Sequence, residues 1–336
     1  MSVVINIMEK LRQEAEISLE NKLCRTTRTT QCIIAYGEHE GIELALRLAG
    51  IKSGMSIVCP ALGDPVLLGA VRQLGALPIF CDVSPDSWTI DCAALNGLLT
   101  RLERSKKSFP QAVIASDIFG LPCNLPAIKE LCGNYKIALI EDSRHCLGVE
   151  IGREACGSFG DVAITLLNRD PEISAIFCDF APPELYIKQS NFAPLSLVDL
   201  SLSSHRLPLL TREISRREIL AGFYHESLSY VQFQRVPTGF SHSYFGFGVL
   251  FASEAARNHA RESLSANRID CNETPLLLHK LAGRMYALAK MPNAEQIASR
   301  LLALPMHEWL NKKTIYSINF KNDSVLSLHT DAKDAT

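Results

Sequence analysis

Between residues 38 and 140 short apolar runs alternate with segments of helical periodicity, and no other feature of the chain restricts its fold as tightly. The runs are Ser56-Ile-Val-Cys59, Leu77 to Asp82, Gln111 to Ser116 and Lys136 to Ile140. The intervening stretches, Glu40–Ala49, Asp64–Leu74, Cys92–Arg104 and Leu125–Cys132, carry helix formers. Asp64-Pro65 reads as an N-cap followed by proline at the first helical position. Strands that are nearly continuous apolar runs are buried on both faces, and helical crossovers between them make them parallel. The predicted fold class is therefore α/β, a large domain with a mostly parallel, helix-covered sheet.

Open sheets of this kind bind ligands beyond the carboxyl ends of their strands. The residues that follow each run are thus the first functional candidates: Pro60 to Asp64, Asp82, Asp117 to Gly120, and Glu141-Asp142. Each acid alone is equally well read as a helix cap or a turn residue. Four together locate the mouth of a site without saying what enters it.

Past Asp170-Pro171 the rhythm breaks, and prolines in Ala181-Pro-Pro-Glu and Ala193-Pro mark loops. A charged helix is expected over 211–230, an aromatic strand over Ser243–Phe251, and helices over Glu254–Leu264 and Glu295–Leu302. This is a smaller α+β domain. The expected division is 1–200 for the large domain with an N-terminal helix near 2–22, 205–321 for the small one, and a flexible tail over 322–336.

The charge balance excludes some partners. Lys and Arg number 34 against 36 Asp and Glu, a formal charge of −2. Nucleic acids and anionic membranes are bound mainly through clustered positive charge, so neither is expected. Two local basic stretches, Arg101–Lys107 and Arg212–Arg217, are interleaved with Glu and read as solvated helix faces. Met1 to Lys10 lacks a basic region followed by a long apolar core, and no run approaches the ~20 apolar residues of a spanning helix. The 11 cysteines include no C-x-x-C pair, which argues against a zinc knuckle and a disulfide framework. No metal site is expected, and the expected compartment is the cytoplasm.

Phosphate-binding glycine loops, H-E-x-x-H and G-x-S-x-G are all absent. The sharpest local feature is Ala138-Leu-Ile-Glu-Asp-Ser-Arg-His145, a buried strand that ends in two acids. An Asp in that place can hold the protonated pyridine nitrogen of pyridoxal phosphate and keep the ring an electron sink. His145 and Cys146 are adjacent and tend to point apart, so they are not read as a nucleophile pair. Tyr244-Phe-Gly-Phe247 reads as sheet packing, and His307 as structural.

Glu43 to Asp91, through Leu44-Ala-Leu, Ile51-Lys-Ser-Gly, Val58-Cys-Pro-Ala, Gly75-Ala-Leu-Pro-Ile-Phe-Cys-Asp-Val and Thr89-Ile-Asp91, resembles the sugar-nucleotide aminotransferases of the DegT/StrS type. So do Phe119-Gly-Leu-Pro122, Ile140-Glu-Asp142, Gly157-Ser-Phe-Gly-Asp161, and Pro292-Asn-Ala-Glu-Gln-Ile-Ala through Leu304-Pro-Met-His307. The likeness covers residues 35 to 310. It implies a type I pyridoxal-phosphate fold, a dimer whose sites are built across the subunit interface, an aldimine to a lysine, and amino transfer to a keto sugar nucleotide.

Residue by residue, the chain departs from that chemistry. The family's lysine position falls on Pro171, and residues 137–187 contain no lysine. The phosphate-cradling Gly-Thr is matched by Glu38-His39, the ring-stacking aromatic by Asp64, the phosphate-holding serine by Leu166 and the Gln beside the ring hydroxyl by His145. The partner subunit's Asn is matched by Ser204, and Arg206 falls near the subunit contact. Only Asp142 stays in place. The resemblance therefore points to a degenerate member that has lost pyridoxal phosphate, a pseudoenzyme or partner subunit. It would form a homodimer, or a heterodimer with an active paralogue, and retain a nucleotide-sugar groove. Two alternatives stand beside it. One is an enzyme of different mechanism that uses Glu38, His39, Asp64, Asp142 and His145. The other is an aminotransferase that holds the cofactor noncovalently or recruits a lysine such as Lys188.

Overall fold

The computed structural model describes residues 2–105, 109–169, 172–182, 195–271, 274–283, 290–307 and 310–318. The first part of the chain runs α1 (Ser2–Thr27), β1 (Gln31–Tyr36), α2 (Glu38–Leu48), β2 (Ser56–Pro60), β3 (Leu62–Gly63), α3 (Pro65–Gln73), β4 (Leu77–Cys81) and α4 (Cys92–Ser105). It continues with β5 (Ala112–Ser116), α5 (Leu125–Tyr135), β6 (Ala138–Asp142), β7 (Glu150–Ile151), β8 (Glu154–Ala155), β9 (Val162–Arg169) and β10 (Glu172–Cys178). Seven strands form one sheet in the order β1-β10-β9-β6-β5-β2-β4. The pairs β9–β6, β6–β5, β5–β2 and β2–β4 are parallel, and β10 runs against both of its neighbours. The large, mostly parallel, helix-covered sheet expected from the sequence is thus present.

Strand periodicity explains why the runs are apolar throughout. Side chains alternate between faces, and here both faces are covered. Ile57, Cys59, Ala112, Ile114 and Ile140 enter one core with Leu44, Leu67 and Leu68 of α2 and α3. Val58, Val113, Ala115 and Leu139 enter the other with Leu95, Leu99 and Ile128 of α4 and α5. Chain order reverses between β2 and β5, so the crevice at their carboxyl ends is the switch point where open sheets take ligands. Leu19 and Leu23 of α1, both fully buried, close the antiparallel edge against Cys32, Ile34 and Phe177.

The rest of the chain forms α6 (Leu197–Arg206), α7 (Leu210–Ser227), β11 (Gln232–Phe233), β12 (Phe247–Leu250), α8 (Glu254–Ala266), β13 (Leu276–Leu277), α9 (Leu278–Leu281), α10 (Pro292–Arg300), β14 (Leu301–Leu304) and α11 (Lys312–Ser317). Strands β11, β12 and β14 make a three-stranded antiparallel sheet. It packs on α7, α8 and α11 around Leu220, Tyr224, Phe247 and Phe251. Tyr224 stacks on Phe247 with centroids 4.7 Å apart, so Phe247 of the aromatic stretch is core, as read from the sequence, with Tyr244 partly buried against it; Phe245 is half-buried and stacks on His145 instead.

Two sequence expectations change here. The strand expected over Ser243–Phe251 is only β12, because Tyr244 takes φ 48° and its N–H is turned onto its neighbour His242 Nδ1 at 2.9 Å. The helix expected over Glu295–Leu302 starts at Pro292 and stops at Arg300, and Leu301–Leu304 is a strand paired with β12. An apolar run of four does not reveal its own period; pairing with β12 decides it. The tail from 322 and the two calls on Pro171 and Lys188 lie outside the described residues.

The two sheets meet at an aromatic wedge. Phe119 and Trp88 both hold positive φ and pack edge to face at 6.3 Å. A Cβ on Gly246 or Gly248 would collide with the Phe119 ring, so these two positions admit only glycine while the wedge stays in place. Beside it, Gln234 donates to the carbonyls of Ser87 (2.7 Å) and Ile118 (3.1 Å), which leaves its Oε1 to accept from His242 Nε2 at 3.3 Å. His242 is thereby held neutral: Nε2 donates and Nδ1 accepts. Burial first, then the nearby His225 and Arg217, push its pKa down to about 3.

That depression sets an acid limit on stability. Above the ordinary histidine pKa both folded and unfolded states are neutral; below it only the unfolded chain takes the proton. His242 therefore withdraws about 1.4 kcal/mol per pH unit as pH falls from about 6.5 toward 3. Urea unfolding of His242→Asn, which keeps an acceptor for the Tyr244 N–H, is expected to lose about 2 kcal/mol less than wild type between pH 6.5 and 5. Equal losses in the two proteins would show that His242 does not titrate this way.

Candidate functional site

Strand β6 ends in two acids that point to opposite faces and do different things. Glu141 is fully buried and accepts from the backbone N–H groups of Gly157, Phe159 (2.9 Å) and Gly160 (3.2 Å) and from Ser143 Oγ at 2.6 Å. Burial pushes its pKa up, and the four donors pull it back. It is the anchor of the loop that carries Gly157 to Asp161.

Asp142 faces the crevice. Its Oδ1 accepts from Arg144 Nε at 2.7 Å, and its Oδ2 accepts from Arg144 Nη2 at 3.1 Å and Ser116 Oγ at 2.7 Å. Arg144 Nη1 continues to Glu38, with which it forms a short ion pair, and lies 3.6 Å from Asp64 Oδ2. The Arg144 side chain is 3% exposed, so the guanidinium is a buried ion hydrogen-bonded to Asp142 and Glu38 and within ion-pair distance of Asp64. Burial opposes its charge, but Asp142, Glu38 and Asp64 outweigh burial and raise its pKa further. Burial likewise works against the charge of Asp142, while Arg144 and Ser116 hold its carboxyl below the usual range.

Local bonding explains why the arginine points there. Ser143 N–H donates to Ile164 O, Leu166 N–H donates to Arg144 O at 3.1 Å, and Thr165 Oγ1 donates to Ser143 O, so residues 143 and 144 are strapped to β9. Asp64 caps α3 by accepting from Val66 N–H at 2.9 Å through Oδ1, which leaves Oδ2 for Arg144. Glu38 opens α2.

Other positions singled out in the sequence lie elsewhere. His39 sits against Gly69 of α3 and does not join the network. His145 Nδ1 is 3.1 Å from Asp117 Oδ2, and its ring stacks on Phe245 at 4.2 Å. Leu166 lines the space beside Arg144 and His145. Ser204 Oγ accepts from Lys22 Nζ of the same chain. Arg206 donates to Leu167 O (3.1 Å) and Asn168 Oδ1 (3.3 Å) and pairs with Glu213 at 3.2 Å. Asp82 is a cap: its carboxylate accepts from the N–H groups of Asn293 and Ala294 at the start of α10. Among the described residues no group of three His, Cys, Asp or Glu is placed to hold a metal ion.

Sequence reasoning missed Arg144. Its signal was present: an arginine two residues beyond a strand-end acid, on the side of the chain that faces the same crevice. Ser116, at the end of the neighbouring strand, was also legible from register alone, because β5 and β6 pair Ser116 with Asp142.

The residues present do not fit pyridoxal phosphate. Both oxygens of Asp142, the acid that the family resemblance sets against the ring nitrogen, are already bonded, and Glu38, at the position the resemblance sets against the phosphate, is a carboxylate that accepts from Arg144. The small cavity lined by Arg144, His145, Leu166 and Phe245 has about 40 Å³, space for a few waters.

Comparison with known proteins agrees with the fold. The model of the DegT/DnrJ/EryC1/StrS aminotransferase family matches residues 10–165 and 196–319. A UDP-N-acetyl-3-dehydro-alpha-D-glucosamine 3-aminotransferase of Acidithiobacillus ferrooxidans is 25% identical over 83% of this chain and 80% of that protein. GDP-perosamine synthase of Escherichia coli O157:H7 is 21% identical over 88% and 86%. The likeness to EpsN of Bacillus subtilis is 32% identical but spans 127 residues, 32% of that relative's length. A crystal structure of a DegT DnrJ EryC1 StrS aminotransferase from Brucella abortus superposes with a TM-score of 0.78 at 20% identity, covering 94% of this chain and 95% of the other. Solved relatives with the same fold include both pyridoxal and pyridoxamine phosphate forms of a sugar aminotransferase from Streptococcus pneumoniae, at TM-scores of 0.77 and 0.78. From its matched residues and its sheet, this chain belongs to the DegT/DnrJ/EryC1/StrS aminotransferase family.

Proposed function

We propose that the chain is a member of this family that does not transaminate and has given up pyridoxal phosphate, acting as a pseudoenzyme or as the partner subunit of an active paralogue. The observation that carries the reading is Arg144. A guanidinium hydrogen-bonded to Asp142 and Glu38 and 3.6 Å from Asp64 stands among the three positions that the family resemblance assigns to ring nitrogen, phosphate and ring face. The match to the family breaks over residues 166–195, the stretch that includes Pro171 and Lys188. Without an amine nucleophile in place no covalent intermediate with a carbonyl forms. The division into a large domain over 1–200 and a small one over 205–321 belongs to this proposal, supported by the two separate sheets. A groove for a nucleotide sugar and a cytoplasmic setting, supported by the names of the relatives and eleven free cysteines, complete it.

One observation favours a second reading, an enzyme of different mechanism. The Asp117–His145 pair, with the imidazole stacked on Phe245 and lining the small cavity, has the geometry of an oriented acid–base group. The wider set of Glu38, His39, Asp64, Asp142 and His145 does not converge on one point: three of them surround Arg144, and His39 lies apart.

Two measurements test the proposal. Titration of the purified chain with pyridoxal phosphate, followed by borohydride and intact mass, is expected to give no site-specific absorbance band and no stoichiometric mass increase. A one-to-one adduct mapped to a single lysine would sink the reading. Separately, Arg144→Met leaves buried carboxylates without their counter-ion, and urea unfolding at pH 7 is expected to show a loss of about 3–5 kcal/mol. Part of that loss is regained on acidification, because uncompensated carboxylates take up protons more readily when folded than when unfolded. A loss below about 1 kcal/mol at pH 7 would mean the network is solvated like a surface pair.

A further inference from the structure

Away from the crevice, the first turn of the chain brings two cysteines into contact. Helix α1 ends at Thr27, Arg28 takes φ 61° and reverses the chain, and β1 begins at Gln31. The Thr29 N–H donates to Cys24 O at 3.1 Å and closes the turn. Side chains of β1 alternate between faces, so Ile33 and Ala35 enter the core shared with α2, while Cys32 and Ile34 face Leu19 and Leu23 of α1. Cys24 lies on the same side of α1 as Glu20, one turn earlier, whose carboxylate accepts from the Ile34 N–H. The thiols of Cys24 and Cys32 therefore meet, and the two are hydrogen-bonded through sulfur.

The surroundings of the two thiols differ. Cys24 is partly exposed, whereas Cys32 is buried. The Cys32 thiol donates to Cys24 and, against burial and with help from Thr29, brings its pKa down to about 7. Burial first, then its role as donor, then the nearby Glu20, Cys24 and Cys178 keep Cys32 protonated well above the usual thiol range. Asp179, just past β10, works weakly against the Cys24 anion. A partly exposed thiolate is the form that peroxides oxidise, and a neighbouring thiol decides whether oxidation stops at one sulfur or closes to two. Cys146 and Cys156 also share a hydrogen bond through sulfur, but both are buried beyond the reach of an oxidant.

We infer that Cys24 and Cys32 are a peroxide-reactive pair, in which Cys24 takes an oxygen atom from a hydroperoxide and Cys32 resolves it to a reversible disulfide between α1 and β1. The Cys24 Sγ attacks one peroxide oxygen: the S–O bond forms, the O–O bond breaks, and the departing alkoxide or hydroxide takes up a proton as alcohol or water. Cys24 is oxidised to the sulfenic acid and the peroxide is reduced by the same electron pair. Cys32 Sγ then attacks Cys24 Sγ: the S–S bond forms, the S–O bond breaks, and the Cys32 proton leaves with the hydroxide as water. A bond of ~2.05 Å replaces a hydrogen-bond contact, so only a local closing of the two side chains is needed. The bond fixes the last turn of α1, two residues beyond Lys22, which bonds Ser204 of α6. The pair is separate from the Asp142 network and stands whether or not the chain transaminates.

The test treats the full chain, reduced and freed of reductant, with hydrogen peroxide, followed by intact mass and tryptic mapping without reduction. A loss of about 2 Da that dithiothreitol restores is expected. Arg25 and Arg28 lie between the two cysteines, so trypsin leaves the bond as a link between Leu23-Cys24-Arg25 and the peptide that starts at Thr29. Cys24→Ser is expected to abolish both the mass loss and the link. Cys32→Ala is expected to stop at the sulfenic acid on Cys24, trapped by dimedone, with unchanged near-ultraviolet circular dichroism confirming the fold of each variant. Cys24 still reduced in excess peroxide, a link from Cys24 to Cys178 or from Cys146 to Cys156 in place of the expected one, or a mass loss that survives in Cys24→Ser would overturn the inference.

Discussion

A buried guanidinium with three carboxylate neighbours constrains the crevice of this protein more than any other contact. Taking Arg144 and Asp142 out of water costs several kcal/mol per ion, and only close, multiply bonded partners recover it. The recovery is visible in the geometry: two bonds from Arg144 to Asp142, a third to Asp142 from Ser116, and the reach onward to Glu38 and Asp64. Because each partner is fixed by its own element, the network ties β5, β6, α2 and the cap of α3 to one point. Any ligand that needs the Asp142 carboxylate must first displace an ion that is already satisfied.

The acids at the carboxyl ends of the strands illustrate how one fold distributes a single residue type among jobs. Asp82 caps α10, Glu141 holds the 157–160 loop, Asp117 orients His145 and accepts from the Gly120 N–H, and Asp142 alone faces the crevice without a backbone donor. Three of the four thus serve the scaffold at least in part. Those scaffold contacts are made within the chain and do not depend on a cofactor.

Much of this was legible in the residues. The apolar runs marked β2, β4, β5 and β6 to within a residue or two, since a strand covered on both faces must be apolar along its whole length. Asp64-Pro65 marked the cap of α3, since a carboxylate before a proline at the first helical turn satisfies orphan N–H groups there. The changes at Glu38, Asp64 and Leu166 were visible one by one. Their connection was not. Arg144 became the centre of the site only because residues 38, 64 and 142, distant in sequence, converge on it. The arginines of α7 likewise read as a solvated face until Met306 and His307 were packed across from them.

Sequence alone determined what depends on local order: the parallel α/β sheet, the crevice at its carboxyl ends, and the absence of lysine between 137 and 187. Periodicity, capping and composition are properties of neighbouring residues, so a linear reading captures them. Tertiary structure decided which charges pair: Arg144 with three acids and Glu213 with Arg206, while the Nε of Arg217 is buried without a hydrogen-bond partner among the described residues. Electrostatic energy depends on distance and burial rather than on position in the chain, so charge pairing is settled only when the strands and helices are in place.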